Sequence, residues 1–103
     1  MTVKQFMVKS GIPLHLKGYD YLKTAIEIHI ENPEETVYNI IEKVGEMYNY
    51  SDASIERCIR TAIKNGFENM DKDIKSIVFK TDAVPSIAQY IKSVSYAIRY
   101  NLI

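Results

Sequence analysis

Arg57, Arg60 and Lys64 recur at three- and four-residue spacing, which on a helix of about 100° per residue places three cations one turn apart on a single face. A guanidinium can hydrogen-bond two acceptors at once on a guanine edge or a phosphate, and an ammonium supplies a point charge for phosphate. Glu56 can accept from a cytosine amino group, and Ala53 is small enough to let the helix start approach bases closely. Ser51, Ser54 and Thr61 complete the set of candidate nucleic-acid contacts. The same residues also suit a solvated helix face in which Glu56 and Arg60, four apart in the favoured order, form a weak ion pair.

These side chains need an element to deliver them. Residues 33–63, PEETVYNIIEKVGEMYNYSDASIERCIRTAI, read as two helices joined by a tight turn with helix-turn-helix spacing, a motif that lays its second helix in the major groove. Val44, Tyr48, Tyr50, Ile55 and Cys58 are apolar where the helices must press together, and Gly45 is small where the second crosses closest. Asn49 sits where the chain must reverse, and asparagine tolerates the left-handed conformation that such a turn demands. Any αα-hairpin needs comparable packing. The motif is expected over about residues 33–66, with its recognition helix over about 51–66.

Helical periodicity covers most of the remaining chain, and strand alternation is nearly absent. Val3, Phe6 and Met7 suggest a short first helix stopped near Gly11-Ile12-Pro13, and Leu22, Ala25, Ile26 and His29 or Ile30 mark a second from about Lys17 to Ile30. The third helix is expected to open with Asn32 as N-cap, Pro33 at the first helical position and Glu35 as reciprocal partner, burying Val37, Ile40, Ile41, Val44 and Tyr48. Glu34 and Glu35 then read as helix-start residues favoured by the macrodipole. Ser51 or Asp52 should cap the fourth, whose apolar stripe is Ile55, Cys58, Ile59, Ala62 and Gly66. Asp71 caps a short fifth carrying Ile74, Ile77 and Val78, and a last helix from Pro85-Ser86 buries Ile87, Tyr90, Ile91, Val94 and Ile98. The expected fold is all-α, about six helices in one compact domain over residues 1–103.

Composition restricts the function classes. With 103 residues and 47% hydrophobic, the chain can build one core. Its formal net charge is zero, so no global basic field draws it to nucleic acid or membrane. The charge is unevenly spread: Glu27, Glu31, Glu34, Glu35, Glu42, Glu46 and Asp52 face only Lys43 between residues 27 and 52, and a first helix crossing a phosphate backbone would be opposed by such carboxylates. Cys58 has no disulfide partner, and MTVKQFMVKS lacks the apolar stretch of a signal peptide, so a reducing cytoplasmic location is expected. No apolar run approaches membrane-spanning length. His15 and His29 lie apart from cysteines and clustered carboxylates, so no metal is expected. Cys58 reads as a small apolar filler and no phosphate-cradling glycine motif occurs among four glycines, so neither cofactor nor enzymatic activity is expected.

One stretch carries a family resemblance. Gly11-Ile12-Pro13-Leu14-His15-Leu16-Lys17-Gly18-Tyr19, with Tyr21-Leu22 and Ala25-Ile26, resembles the opening of the C-terminal effector domain of stage-zero sporulation protein A, a response regulator of sporulation initiation. The likeness resumes at Tyr48-Asn49, Ile55-Glu56-Arg57, Ile59-Arg60 and Ala62-Ile63, and returns weakly at Ala83-Val84-Pro85. It implies a six-helix DNA-binding domain with its fourth helix in the major groove, tandem dimers on promoter sites, and contact with RNA polymerase through a sigma factor. Glu56, Arg57 and Arg60 match positions that the family uses at DNA, whereas Ser54 stands where the family has a base-reading arginine and Ala53 where it has a serine. An altered base preference follows. His15 and Lys17 are candidate phosphate contacts. The family's receiver domain would have to precede Met1; if Met1 is the natural start, phosphorelay control cannot operate within this chain.

Eight tyrosines exceed what a small core needs, and tyrosine is enriched at protein contacts. Tyr96, Tyr100 and Leu102 near the C-terminus are candidates for a dimer surface. Two readings of function stay open: a transcriptional regulator bound to double-stranded DNA as a homodimer or as a heterodimer with the full-length regulator, and a protein-interaction module that has lost DNA binding and modulates that regulator or the sigma factor.

Overall fold

Every helix but the second, which starts after Leu16 without a side-chain cap, begins where a short polar side chain satisfies the first free backbone amides, and these caps divide the chain. The computed structural model describes residues 1–103 as six α-helices without strands: α1 Val3–Lys9, α2 Lys17–Glu31, α3 Val37–Tyr48, α4 Asp52–Gly66, α5 Lys72–Val78 and α6 Ile87–Arg99, with a 3₁₀ turn at Phe67–Asn69. Thr2 with Gln5 and Ser86 with Gln89 form reciprocal capping boxes at α1 and α6. Ser51 caps α4 and Asp71 caps α5, as expected.

The third helix starts four residues later than its sequence suggested. Asn32 ends α2 by donating its amide to the carbonyl of Ile28, and the Glu35 amide returns to the Asn32 carbonyl at 3.0 Å. Pro33 therefore occupies the second position of a turn, where its fixed φ is equally at home. Thr36 is the actual N-cap, its hydroxyl accepting from the Asn39 amide at 3.1 Å. Glu34 is exposed in the turn, and Glu35 serves instead as acceptor for the Asn39 amide group and the Lys43 ammonium, both at 2.9 Å.

α2 is the central helix, packing against α1, α3, α4 and α6. Its inner face of Leu22, Ala25 and Ile26 meets Phe6 and Met7 of α1, Ile40 and Val44 of α3, Ile55 and Ile59 of α4, and Tyr90, Ile91 and Val94 of α6, all fully buried. Burial of each large aliphatic or aromatic side chain contributes roughly 1.5 to 3 kcal/mol, so this layer dominates stability. Two expected core residues lie outside it: Ile77 is 46% exposed because α5 is only two turns long and buries Ile74 alone, and Tyr50 is 48% exposed because the turn lifts it off the helix pair. Val37, Tyr48, Cys58, Val78 and Ile98 pack only partly buried at the core's edge.

One polar contact crosses this core. His29 of α2 and Ser95 of α6 are buried, with Nδ1 and Oγ 2.8 Å apart. The Ser95 hydroxyl donates its single proton to the Ile91 carbonyl. Its lone pair therefore accepts from His29 Nδ1–H, which fixes the histidine tautomer.

Candidate nucleic-acid interface

The turn between α3 and α4 is built from four residues. Asn49 adopts φ 60° and ψ 47°, the left-handed conformation expected of it. The reversal lets the amides of both Asn49 and Tyr50 reach the Gly45 carbonyl, the Tyr50 bond measuring 3.0 Å. A side chain at Gly45 would come within 2.8 Å of the Tyr50 carbonyl oxygen, so the close crossing requires glycine. Ser51 then starts α4, accepting from the Ser54 amide at 3.2 Å and donating its hydroxyl to Ser54 Oγ at 2.9 Å.

From that start, Ile55, Ile59, Ala62, Ile63 and Gly66 face the core. The opposite face presents Ala53, Arg57, Arg60, Thr61 and Lys64 to solvent, with Ser54 and Glu56 half-buried at its edges. Arg60 pairs with Glu56 at 2.5 Å, their side chains 64% and 45% exposed. Such a surface pair contributes about 0.5 kcal/mol or less and leaves the guanidinium accessible. Arg57 and Lys64 make no ion pair. The cations are thus uncovered by the chain's own elements.

The segment before α2 is also brought to this turn. Lys17 Nζ lies 3.5 Å from the Tyr50 hydroxyl and 5.1 Å from its ring centre. The hydrogen bond to Tyr50 is the main reason the Lys17 ammonium is held above its usual pKa. His15 is exposed two residues earlier, in a turn closed by the Leu16 amide on the Pro13 carbonyl. Tyr21 stacks edge-on against Tyr48 at 4.8 Å, and Tyr48 bonds Thr24 at 2.9 Å, so α2 buttresses the turn through aromatic residues. The sequence marked Tyr48 and Tyr50 as packing residues but gave no sign that Tyr21 and Lys17 were their partners, because the contact joins residues some 30 positions apart.

The acidic stretch lies beside this face. Lys43 neutralises Glu35, whose carboxyl is held below its ordinary pKa by Asn39 and then Lys43, and Lys23 pairs with Glu27 at 3.2 Å. Glu42 and Glu46 are exposed without a cation, and with Asp52 they border a depression at the helix-turn-helix turn. Tyr96, Tyr100 and Leu102 are 59%, 58% and 50% exposed, and the two rings stack with centres 4.6 Å apart. They belong to α6 and the chain end, separate from the α4 outer face. The largest surface depression, about 940 Å³ between α5 and the loop following it, includes none of the candidate residues.

No group of three or more histidine, cysteine or acidic side chains is placed to hold a metal. No helix is long and apolar enough to cross a membrane. Residues 3–98 match the family model described as sporulation initiation factor Spo0A, C terminal.

Proposed function

Because the chain belongs to this family, the DNA-binding effector domains of a sporulation regulator, we propose that it controls transcription by laying α4 in the major groove of promoter DNA. The observation that carries this reading is the uncovered outer face of α4, where Arg57, Arg60 and Lys64 project without burial. Arg57 and Arg60 read guanine edges or hold phosphates, Glu56 accepts from a cytosine, and Lys64 neutralises phosphate toward the end of the helix. Ser51, Ala53, Ser54 and Thr61 form the close-approach surface. His15 and Lys17 hold the phosphate backbone beside the turn.

Base preference differs from the family pattern at the position of Ser54. A short hydroxyl already bonded to Ser51 cannot make the bidentate contact of an arginine. Tandem binding would use Tyr96, Tyr100 and Leu102 as a dimer surface, with a second copy or the full-length regulator as partner, and a sigma factor as the contact on polymerase. Methylation protection tests the docking: guanine N7 lies in the major groove, so bound protein should shield it at specific positions of a promoter site. Binding that leaves every N7 reactive would contradict it.

The unpaired carboxylates of Glu42 and Glu46 favour a second reading, a protein-interaction module that has lost DNA binding and modulates the full-length regulator or the sigma factor. Tight binding to either protein, with no DNA affinity at low salt, would support it.

A further inference from the structure

A groove of about 530 Å³ runs between α4 and the start of α6. Ile63, Val84, Pro85 and Ile87 line its apolar part, with Ser86 and Gln89 polar beside them. Val84 is 55% exposed there. Arg60 and Lys64, four residues apart on α4, stand on the opposite rim. An occupant should therefore carry an apolar group for the wall and two anionic groups spaced by one helical turn for the rim.

The chain itself presents that pattern. On the outer face of α3, Tyr38, Glu42 and Glu46 follow one another at four-residue intervals, within about 80° of arc on a helical wheel. Tyr38 is 72% exposed, and neither carboxylate has an intramolecular partner. The carboxylates of Glu42 and Glu46 repeat at the same interval as the cations of Arg60 and Lys64, about 6 Å along a helix. Tyr38 lies one further turn along α3 and supplies the apolar group. Glu56 does not prevent this, because an exposed pair exchanges partners at little cost.

We propose that the α3 ridge of one copy docks in the α4–α6 groove of a second copy, joining the chain to itself head to tail. Donor and acceptor surfaces lie on different helices of the same chain, so the contact is heterologous and can propagate. A consequence follows that rests on the DNA-binding reading above. Docking covers Arg60 and Lys64, so this contact and DNA binding exclude one another, while the surface of Tyr96, Tyr100 and Leu102 stays free for tandem binding on DNA.

Sedimentation equilibrium on the intact chain tests the contact. At about 0.1 M salt the average mass should rise with protein concentration, and at about 1 M, where the screening length falls to about 3 Å, it should return toward the monomer. The double variants Glu42→Lys with Glu46→Lys, and Arg60→Glu with Lys64→Glu, should each stay monomeric at low salt while keeping the helical circular dichroism of the parent. Mixed together, they restore opposite charges across the contact and should associate again. A chain that is monomeric at low salt at every concentration overturns the proposal, as does association that survives both charge reversals, which would place the contact elsewhere. Added duplex carrying a single site should disperse the associated species; single-site duplex bound alongside intact association would refute the mutual exclusion, whereas failure to bind duplex at all would count against the DNA reading and leave the self-contact standing on the charge-reversal results.

Discussion

Gly18 and Cys58 bring α2 and α4 into backbone contact: a Cβ built on Gly18 would lie 2.1 Å from the Cys58 carbonyl oxygen and 2.7 Å from the Ala62 side chain. α4 is thereby seated directly on the central helix of the core. Gly18→Ala must push the two helices apart. It is expected to cost about 1 to 3 kcal/mol in denaturant unfolding, and to weaken DNA binding beyond what the lost stability explains.

Asn49 holds the turn of the helix pair in a left-handed conformation. Asn49→Gly should leave stability nearly unchanged, whereas Asn49→Val should lose about 1 to 2 kcal/mol, because a branched side chain clashes with the backbone there. Thermal unfolding of the two variants side by side checks the difference.

These two residues also show what a single sequence reveals. Asn49 was legible because its local requirement, a reversal between two apolar helices, is written in its neighbours. So were the outer face of α4, the Ser51 and Asp71 caps and the six-helix layout, which depend on periodicity within one segment. Gly18 was not, since the carbonyl it accommodates belongs to a residue forty positions away. The α3 start was misread because Asn-Pro serves equally as a helix opening or as a turn, and the hydrogen bond that decides between them runs back to Ile28. The Lys17–Tyr50 contact and the α4–α6 groove are likewise products of chain folding, invisible to spacing.

His29 supplies a pH dependence. Burial first, then the charges of Lys92 and Arg99, hold its pKa below the ordinary value of 6.5. The unfolded chain therefore takes up a proton at a higher pH than the folded one. Stability should be level above pH 6.5, fall as the pH drops below it toward the folded pKa, and level again beneath that. His29→Gln should flatten this part of a stability profile measured by urea unfolding; an unchanged profile would assign the acid sensitivity to other groups.

On the proposed docking, Ser54 stands where the family resemblance puts a base-reading arginine. Ser54→Arg should improve discrimination for family-type promoter sites over random duplex by about 1 to 3 kcal/mol, the contribution of one bidentate contact to guanine. Competition binding with the two duplexes measures it, and equal affinity for both after the substitution would place residue 54 away from the bases.

Arg57 tests the central claim most directly, because it stands on the outer face of α4 with no internal partner. The affinity of the parent and of Arg57→Ala for a promoter duplex should be measured across a salt series. The parent should bind with affinity that falls steeply as salt rises, and the variant should bind more weakly by about 1 kcal/mol or more, with a salt slope shallower by about one if the contact is to phosphate. Identical affinity and identical slope for the two proteins, or no duplex binding by either at low salt, would contradict the assignment of α4 to the major groove.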